Sequence, residues 1–316
     1  MDTGHLKGPL IAIVGPTAVG KSELALQLAI DLGGEIVSAD SRQVYRYMDI
    51  GTAKPTPEEQ RLVPHHLIDV VDPDEEYTLA NFQEDAYSAI DQILASRRLS
   101  FLVGGTGLYV RAVLEGLDIP RIEPDAEFRR RLERLAAEQG ADHLHRELVS
   151  VDPIAAAKID PRNVRRVIRA LEVFHFTGRP ISELQGSHPP PYDLLIMGLT
   201  CARQELYRRI DDRVDWQVAH GLVEETQRLV AMGYGYGLPS MSGLGYRQIG
   251  MYLRGEITLP QAIELIKFET HRFARQQFNW FRLGDPKIRW LQRGSDTLDR
   301  ARSLVLASPA GRLVEH

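Results

Sequence analysis

The chain has 316 residues, of which 43% are hydrophobic and 26% are charged, so it is long enough for two compact units with a sizeable core. Its single cysteine, Cys201, excludes an internal disulfide and a cysteine-rich zinc site. The N-terminus lacks a secretory pattern and no apolar run reaches bilayer length, which predicts a cytoplasmic protein without a membrane partner. The net charge of −5 disfavours a nucleic-acid partner unless basic residues cluster locally.

Short apolar runs in the sequence predict a parallel sheet. Residues 10–14, 35–39, 99–103 and 194–199 read as buried strands, and residues 22–32 read as a helix with apolar residues four apart. Strands that alternate with helices and end in glycine turns indicate an α/β fold. Because ligands of such sheets bind beyond the carboxyl ends of the strands, the segments that follow the first three strands should converge on one cleft.

The middle of the chain predicts helices only. Phe128 and Leu132 fall on one helical face, and Asp152 and Asp160 each precede a proline, which predicts two further helix starts. We therefore predict a helical lobe inserted into an α/β core, with the lobe at residues 120–188 and the core at residues 1–119 and 189–316. Helices in the second part of the core are predicted at about residues 203–218, 222–232 and 260–283.

The segment after the first strand matches the phosphate-binding pattern G-x-x-x-x-G-K-[ST], in the strand-to-helix context that this motif requires. Its glycines let backbone N–H groups point inward, and the following helix adds the positive end of its dipole. In this motif Lys21 reaches the outer phosphates and the Ser22 hydroxyl binds Mg²⁺. The prediction is a P-loop NTPase-like enzyme whose diphosphate-binding residues are Gly15, Pro16, Thr17, Ala18, Val19, Gly20, Lys21 and Ser22.

The phosphate loop alone leaves three reaction classes open, namely a small-molecule kinase, a nucleotide-driven switch and a transferase that releases pyrophosphate. A switch is disfavoured because no Asn-Lys-x-Asp sequence is present, and because the strand at residues 99–103 ends in glycines rather than in a Mg²⁺-holding aspartate. A kinase remains open, since Asp40 follows the second strand and could accept a proton from a substrate hydroxyl.

Seven further motifs accompany the phosphate loop. In chain order they are DSRQVY at 40–45, DIGTAKP at 49–55, HHLID at 65–69, GGTGLY at 104–109, RVIRALE at 166–172, GLGYR at 243–247 and RQQFNWFR at 275–282. Together they resemble the tRNA dimethylallyltransferase (isopentenyl-tRNA transferase) family, and the resemblance extends over residues 9–291. Eukaryotic members carry an additional C-terminal zinc finger, which a chain with one cysteine cannot form, so the resemblance is to the bacterial type.

The resemblance implies that the dimethylallyl group of dimethylallyl diphosphate moves to the exocyclic amine of the adenosine on the 3′ side of the anticodon, in tRNAs that read codons beginning with U. Pyrophosphate leaves with the assistance of Mg²⁺. The residues suit this chemistry, because Lys21 and the loop amides stabilise the leaving group and Asp40 can deprotonate the amine. Thr17 and Thr106 can hydrogen-bond the diphosphate or the amine, and Arg209, rather than its helical neighbour Arg213, is expected to hold the diphosphate.

Two segments carry clusters of positive charge suited to RNA phosphates. Residues 160–182 contain five arginines against two carboxylates, in a stripe that we read as lacking an acidic partner, and residues 267–289 contain six basic residues against two carboxylates. The target base must leave its stem-loop to reach a pocket. The resemblance implies tRNA contacts by Asp40, Ser41, Arg42, Gln43, Thr106, Arg129, Arg165, Arg166, Val167, Ile168, Arg169, Ser242, Gly243, Leu244, Gly245, Tyr246, Arg247, Arg275 and Arg282.

Two alternatives to a tRNA substrate stay open. One is an adenylate isopentenyltransferase, which shares the phosphate loop and the aspartate but modifies a free nucleotide. The other is a small-molecule P-loop kinase. The basic helices and the inserted lobe favour tRNA, because a free-nucleotide enzyme has no use for them. We expect a monomer, and we read His65 and His66 as structural because adjacent residues in an extended segment point in opposite directions.

Overall fold

The computed structural model describes residues 6–314 and divides the chain into two compact units. Unit 1 comprises Met1–Leu114 and Pro191–His316, and unit 2 comprises Glu115–Pro190. Within the part of the chain that is described, no helix is both long enough and apolar enough to cross a bilayer.

Unit 1 is built on one sheet of six parallel strands in the order β3-β2-β4-β1-β5-β6. The strands are β1 Pro9–Val14, β2 Gly34–Ser38, β3 His65–His66, β4 Leu99–Gly104, β5 Asp193–Thr200 and β6 Ile288–Gln292. A fully parallel sheet with helices on both faces confirms the predicted P-loop NTPase-like α/β class. The short edge strands β3 and β6 are additional to the four strands that the apolar runs predicted.

The helices flank the sheet in unit 1 and make up the whole of the regular structure in unit 2. In chain order they are α1 Lys21–Leu32, α2 Pro57–Leu62, α3 Leu79–Ala95, α4 Gly107–Leu114, then in unit 2 α5 Ala126–Gln139, α6 Ala141–Val151, α7 Pro153–Ala156, α8 Val164–Thr177 and α9 Ile181–Leu184, and again in unit 1 α10 Arg203–Ala219, α11 Leu222–Ala231, α12 Tyr246–Leu253, α13 Leu259–Trp280, α14 Thr297–Leu306 and α15 Gly311–Val314.

The central strand β1 divides the core of unit 1 into two layers. Every residue of β1 is buried, and successive side chains enter opposite layers, with Ile11 and Ile13 in one and Leu10 and Ala12 in the other. The register pairs Val14 of β1 with the last residue of β4. The carboxyl ends of these two strands are therefore level, which brings the loops that follow them side by side.

Unit 2 has a separate core of apolar side chains from α5, α6 and α8, among them Leu132, Leu144 and Val167. The predicted all-helical insertion is confirmed, and the helix at Pro153 begins as expected with Asp152 as its N-cap. The predicted helix start at Asp160 is wrong. Asp160 instead accepts hydrogen bonds from the backbone and guanidinium of Arg162, which closes a turn.

The helix after that turn begins three residues later than the sequence predicts. Asn163 is the N-cap of α8 and accepts the backbone N–H of Arg166, a role for which asparagine is as well suited as aspartate. Arg162 therefore precedes the helix and is not part of its basic face. Its guanidinium is paired with the carboxylate of Asp160.

Candidate active site

The phosphate loop forms a cup between β1 and α1. Gly15 begins it with φ 141°, and a Cβ atom there would overlap the carbonyl oxygen of Leu199 on β5, so only glycine fits. Ala18 adopts φ 62° and Gly20 adopts φ 105°, which turn successive N–H groups toward the inside of the loop. Because Gly20 is the N-cap of α1, no side chain there competes with an anion for the first-turn amides.

Three cationic side chains surround this loop. Lys21 Nζ donates to the carbonyl oxygen of Pro16 at 2.8 Å, Arg209 Nε to that of Ala18 at 2.8 Å, and Arg213 Nη2 to Thr17 Oγ1 at 2.8 Å. Among residues 6–314, none of the three cations forms an ion pair with a carboxylate. Arg213 Nε is buried and has no hydrogen-bond partner there. This concentration of cations without ion-pair partners is suited to a bound anion.

This environment changes the pKa of the Lys21 ammonium group. Burial lowers its pKa to about 8, the carboxylate of Asp40 opposes that shift, and the positive charge of Arg213 adds to it. Burial likewise lowers the pKa of Arg213. A bound diphosphate would stabilise both charged forms. Anion binding is therefore coupled to the protonation of Lys21.

We expect pyrophosphate affinity to fall as pH rises through about 8, by up to about tenfold per pH unit, because only protonated Lys21 binds the anion strongly. Below pH 7 this group is already charged in the free protein and adds no pH dependence. Calorimetric titration in buffers of different ionisation enthalpy should show uptake of about one proton at pH 9. Lys21→Arg, which stays charged, should remove this uptake, and an equal uptake in that variant would contradict the assignment.

Asp40 lies two residues beyond β2, within electrostatic reach of Lys21 and Arg213. Its Oδ1 accepts the backbone N–H of Arg42 at 2.8 Å, as in an Asx turn. Within the described chain, Oδ2 makes no hydrogen bond. The turn therefore occupies one carboxylate oxygen and leaves the other available to a ligand.

The loop after β4 lies directly against the loop that contains Asp40. Thr106 Oγ1 accepts the backbone N–H of Ser41 at 3.1 Å, and Thr106 N donates to the carbonyl oxygen of Ala39 at 3.4 Å. A Cβ atom at Gly104 would overlap that same carbonyl oxygen, so a glycine is needed for this close approach. The segments after β1, β2 and β4 are thereby brought to one place.

These loops enclose a cavity of about 750 Å³, which is large enough for a small organic diphosphate with part of a base. Gly15, Pro16 and Val19 lie buried beneath it rather than at its surface. The cavity is lined by Thr17, Ala18 and residues 20–23 of the phosphate loop and α1, by residues 40–43, 51–53 and 103–108, by Arg209, Arg213 and Gln217 of α10, by Ser242, Gly243, Leu244 and Tyr246, and by Ile266, Thr270, Phe273, Gln276, Gln277 and Trp280 of α13.

Two of the residues that are expected to contact tRNA, Arg42 and Gln43, also hold neighbouring loops in place. The Arg42 guanidinium donates to the carbonyl oxygen of Pro239 at 2.7 Å and to Ser242 Oγ at 3.3 Å. The Gln43 amide donates to the carbonyl oxygens of Thr52 and Ala53 at 3.3 and 3.2 Å. Arg42 and Gln43 therefore join the segment after β2 to the far wall of the cavity.

A buried carboxylate that sequence reasoning missed supports that wall. Glu225 of α11 is 1% exposed and accepts the backbone N–H groups of Asp49, Ile50 and Gly51 at 2.9–3.1 Å. The hydroxyl of Tyr246 donates to the same carboxylate at 2.6 Å, and burial together with this carboxylate raises the pKa of Tyr246. The one signal in the sequence is an acidic residue at an otherwise apolar position of the α11 helical pattern.

The remaining residues of unit 1 that are expected to contact tRNA do not line the cavity, but each lies within two positions of a lining residue in the chain. Gly245 is the N-cap of α12. Arg247 is exposed and paired with Glu269, and Arg275 is exposed and donates to the Tyr207 hydroxyl at 2.7 Å. Arg282 is exposed and lies beyond α13, which ends at Trp280 rather than at residue 283.

The residues of unit 2 that are expected to contact tRNA differ in how deeply they are buried. Arg165 and Arg166 are exposed on α8, whereas Val167 and Ile168 lie in the helical core. Arg129 and Arg169 both bind the carboxylate of Glu172, which is fully buried. The interpretation of this stripe as arginines without an acidic partner is therefore wrong for Arg169. Glu172 lies three residues further along the same helix, where a partner can reach it.

Protein ligands for a metal are sparse in the described part of the chain. No three histidine, cysteine or acidic side chains there are grouped as a metal site. His66 Nε2 lies 2.6 Å from Glu35 Oε2, and His65 Nδ1 lies 2.8 Å from the carbonyl oxygen of Val63. Ser22 is exposed at the rim of the cavity, next to Lys21.

Comparison with known proteins finds relatives whose sequences match almost the whole chain. The IPP transferase family matches residues 43–284, and the isopentenyl transferase family matches residues 8–68. The chain is 57% identical over 274 residues to a tRNA dimethylallyltransferase of Thermomicrobium roseum, covering 87% of this chain and 83% of that one. It is 54% identical to that of Roseiflexus castenholzii, over 94% of this chain and 97% of the relative.

Two solved structures are similar as well. The tRNA isopentenylpyrophosphate transferase of Bacillus halodurans shares 42% identity at a TM-score of 0.71, with 98% of this chain and 99% of that chain covered. A eukaryotic dimethylallyltransferase captured while acting on tRNA shares 28% identity at a TM-score of 0.78, over 95% of this chain and 78% of that chain.

Proposed function

The chain belongs to the IPP transferase family, which includes the tRNA dimethylallyltransferases, and we propose that it moves the dimethylallyl group from dimethylallyl diphosphate to the exocyclic amine of an adenosine. The acceptor is the adenosine on the 3′ side of the anticodon in tRNAs that read codons beginning with U. The observation that carries the proposal is a single cavity that combines two features. In the described part of the chain, three cations without ion-pair partners lie at its phosphate loop, and the Asp40 carboxylate has one oxygen free of hydrogen bonds.

The cations act on the leaving group. As the bond between the allylic carbon and oxygen breaks, negative charge grows on the diphosphate, and preorganised donors stabilise it without reorganising. Lys21, Arg213 and the inward-facing amides of residues 18–22 supply those donors, since the Thr17 amide binds Gln277. Arg209 and Arg213 are each hydrogen-bonded to the loop, so both arginines, rather than Arg209 alone, hold the diphosphate.

Asp40 acts on the nucleophile. The exocyclic amine of adenine is weakly nucleophilic because its lone pair is delocalised into the ring, and removal of a proton during attack increases its reactivity. Asp40 Oδ2 is free to accept that proton, whereas Oδ1 is held by the backbone of Arg42. Thr106 Oγ1 accepts the Ser41 N–H and donates to Ser41 Oγ over a long 3.4 Å, and its hydroxyl can rotate to donate to the acceptor base or the diphosphate instead.

Mg²⁺ fits the donor set of this site. It binds hard oxygen ligands and commonly takes only one or two from the protein, with the rest from phosphates and water. The exposed Ser22 hydroxyl beside the loop would be the protein ligand. When bound, the ion neutralises charge on the departing diphosphate. The cavity gives the diphosphate cationic partners of its own in Lys21, Arg209 and Arg213.

A tRNA acceptor is favoured over a free nucleotide by the exposed arginines of unit 2. Arg165 and Arg166 lie in the described structure without a carboxylate partner, on a face opposite the buried Val167 and Ile168. Such arginines suit the phosphates of an anticodon stem-loop. We also propose that the protein acts as a cytoplasmic monomer.

The variant Arg165→Ala/Arg166→Ala should weaken tRNA binding and flatten its salt dependence by about two log units of slope, one for each lost phosphate contact. Transfer at saturating tRNA should stay within about threefold of wild type. Arg169 is left intact because it neutralises buried Glu172. The control is Arg300→Ala/Arg302→Ala on α14, which removes the same charge from another exposed helix, and an equal slope in both double variants would contradict a tRNA contact.

The function is tested by incubating the protein with radiolabelled dimethylallyl diphosphate, Mg²⁺ and either unmodified tRNA or AMP. Label in tRNA alone is the expected result. Label in AMP would reassign the chain to free-nucleotide modification. Label in neither, with ATP consumed against a small acceptor, would establish a kinase instead.

A further inference from the structure

A buried glutamine on α13 bridges the two loops that carry the proposed chemistry. Gln277 is 3% exposed. Its Oε1 accepts the backbone N–H of Thr17 in the phosphate loop at 2.8 Å, and its Nε2 donates to the carbonyl oxygen of Gly105 in the loop after β4 at 2.8 Å. One planar amide therefore fixes the separation of the two backbones.

The loop after β4 is shaped to receive α13. A Cβ atom at Gly105 would overlap Gln277 Nε2, and one at Gly107 would overlap the ring of Trp280, one turn further along α13. The glycines at these positions let the helix approach the loop backbone. Together the two glycines bring α13 close enough for the Gln277 amide to reach the backbone of this loop.

The same contact orients Thr17. Its backbone N–H is directed to Gln277, and its hydroxyl oxygen accepts from Arg213 at 2.8 Å. With the oxygen occupied as an acceptor, the hydroxyl hydrogen remains free to donate to an anion in the cavity. Gln277 also withdraws one N–H of the phosphate loop from ligand binding.

We propose that Gln277 is a positioning residue, which holds the phosphate loop and the loop of Thr106 at a fixed separation so that donor and acceptor meet in a reactive geometry. This inference rests on the proposed function. Misplacement of reacting groups by a fraction of an ångström lowers the rate far more than it lowers binding. Because the Thr17 amide is not part of the anion cradle, the loss of Gln277 should affect turnover and leave pyrophosphate affinity nearly unchanged.

Gln277→Met keeps the length of the side chain and removes both hydrogen bonds. We expect kcat for prenyl transfer to fall about 10–100-fold, with pyrophosphate affinity and the KM for tRNA within about threefold of wild type. The matched control is Gln83→Met on α3, which removes a side-chain amide that donates to the carbonyl oxygen of Ala112 at 2.7 Å. A kcat for Gln277→Met within threefold of wild type would overturn the proposal, as would equal losses of kcat and melting temperature in both variants.

Gln277→Glu provides a second test that does not depend on how Gln277→Met folds. The protonated carboxyl group has the shape of the amide and can both accept from Thr17 and donate to Gly105, whereas the carboxylate can only accept. The kcat of this variant should therefore rise as pH falls, relative to wild type at each pH, and a parallel pH profile would overturn the proposal. Pyrophosphate binding by calorimetry needs no prenyl transfer, so a wild-type protein that binds pyrophosphate but transfers no label would refute the proposed function itself.

Discussion

Asp40→Asn is expected to lower the rate of prenyl transfer by about 10²–10⁴-fold while tRNA affinity changes by less than about threefold. Asparagine retains the oxygen that accepts the backbone N–H of Arg42, so the turn after β2 is kept and only the proton acceptor is lost. Single-turnover transfer to tRNA at saturating donor measures the chemical step directly.

The substitution also changes the electrostatics of the cavity. Asp40 raises the pKa of Lys21, so Asp40→Asn should bring that pKa below about 8. Pyrophosphate affinity is therefore best compared at pH 7 or lower, where Lys21 remains charged. Asp31→Asn, on the exposed face of α1, is the matched control. Normal turnover by Asp40→Asn would show that Asp40 only shapes the turn.

Glu225→Gln should lower the free energy of unfolding by about 3 kcal/mol and raise the KM for tRNA. The buried Glu225 carboxylate accepts hydrogen bonds from four donors, and the substitution removes its negative charge. A glutamine side chain offers one acceptor oxygen and must turn an NH₂ group toward the N–H groups of residues 49–51. The wall formed by residues 51–53 then loses its support. Urea unfolding gives the stability change, and steady-state kinetics give the KM.

The neighbouring Glu224→Gln provides the control for Glu225→Gln, since Glu224 is exposed on the same helix and its substitution should change stability by less than about 0.5 kcal/mol. Equal unfolding midpoints for the two variants would mean that residues 49–51 are held by other contacts. Phe82→Leu would be a poor comparison because it tests packing and not the buried carboxylate.

The parts of the fold that the sequence predicts correctly are those encoded by local patterns. The phosphate loop, the buried strands and the helical insertion each follow from residue types at short spacing. The predicted helix start at Asp160 is wrong because two suitable N-caps, Asp160 and Asn163, lie three residues apart, and the turn formed with Arg162 decides between them. Local preference alone does not resolve such competition.

The contacts that support the candidate site join residues far apart in the chain. Gln277 reaches Thr17 across 260 positions, and Glu225 reaches Asp49 across 176. No periodic pattern or short motif encodes such pairs, because they depend on where complete elements lie in the fold. The choice between Arg209 and Arg213 has the same origin, since both occupy one face of α10 and only the tertiary structure brings each of them to the loop.

The two ends of unit 2 are paired with each other. Leu117 and Ser187 form an antiparallel bridge, flanked by hydrogen bonds from Asp118 N to Gly186 O and from His188 N to Gly116 O. The insertion therefore closes on itself before β5 begins. During synthesis, unit 2 should become a complete cooperative unit while the nascent sheet still lacks its fifth and sixth strands. A ribosome stalled shortly after residue 190 has emerged should carry a protease-resistant helical unit and a still-digestible N-terminal segment.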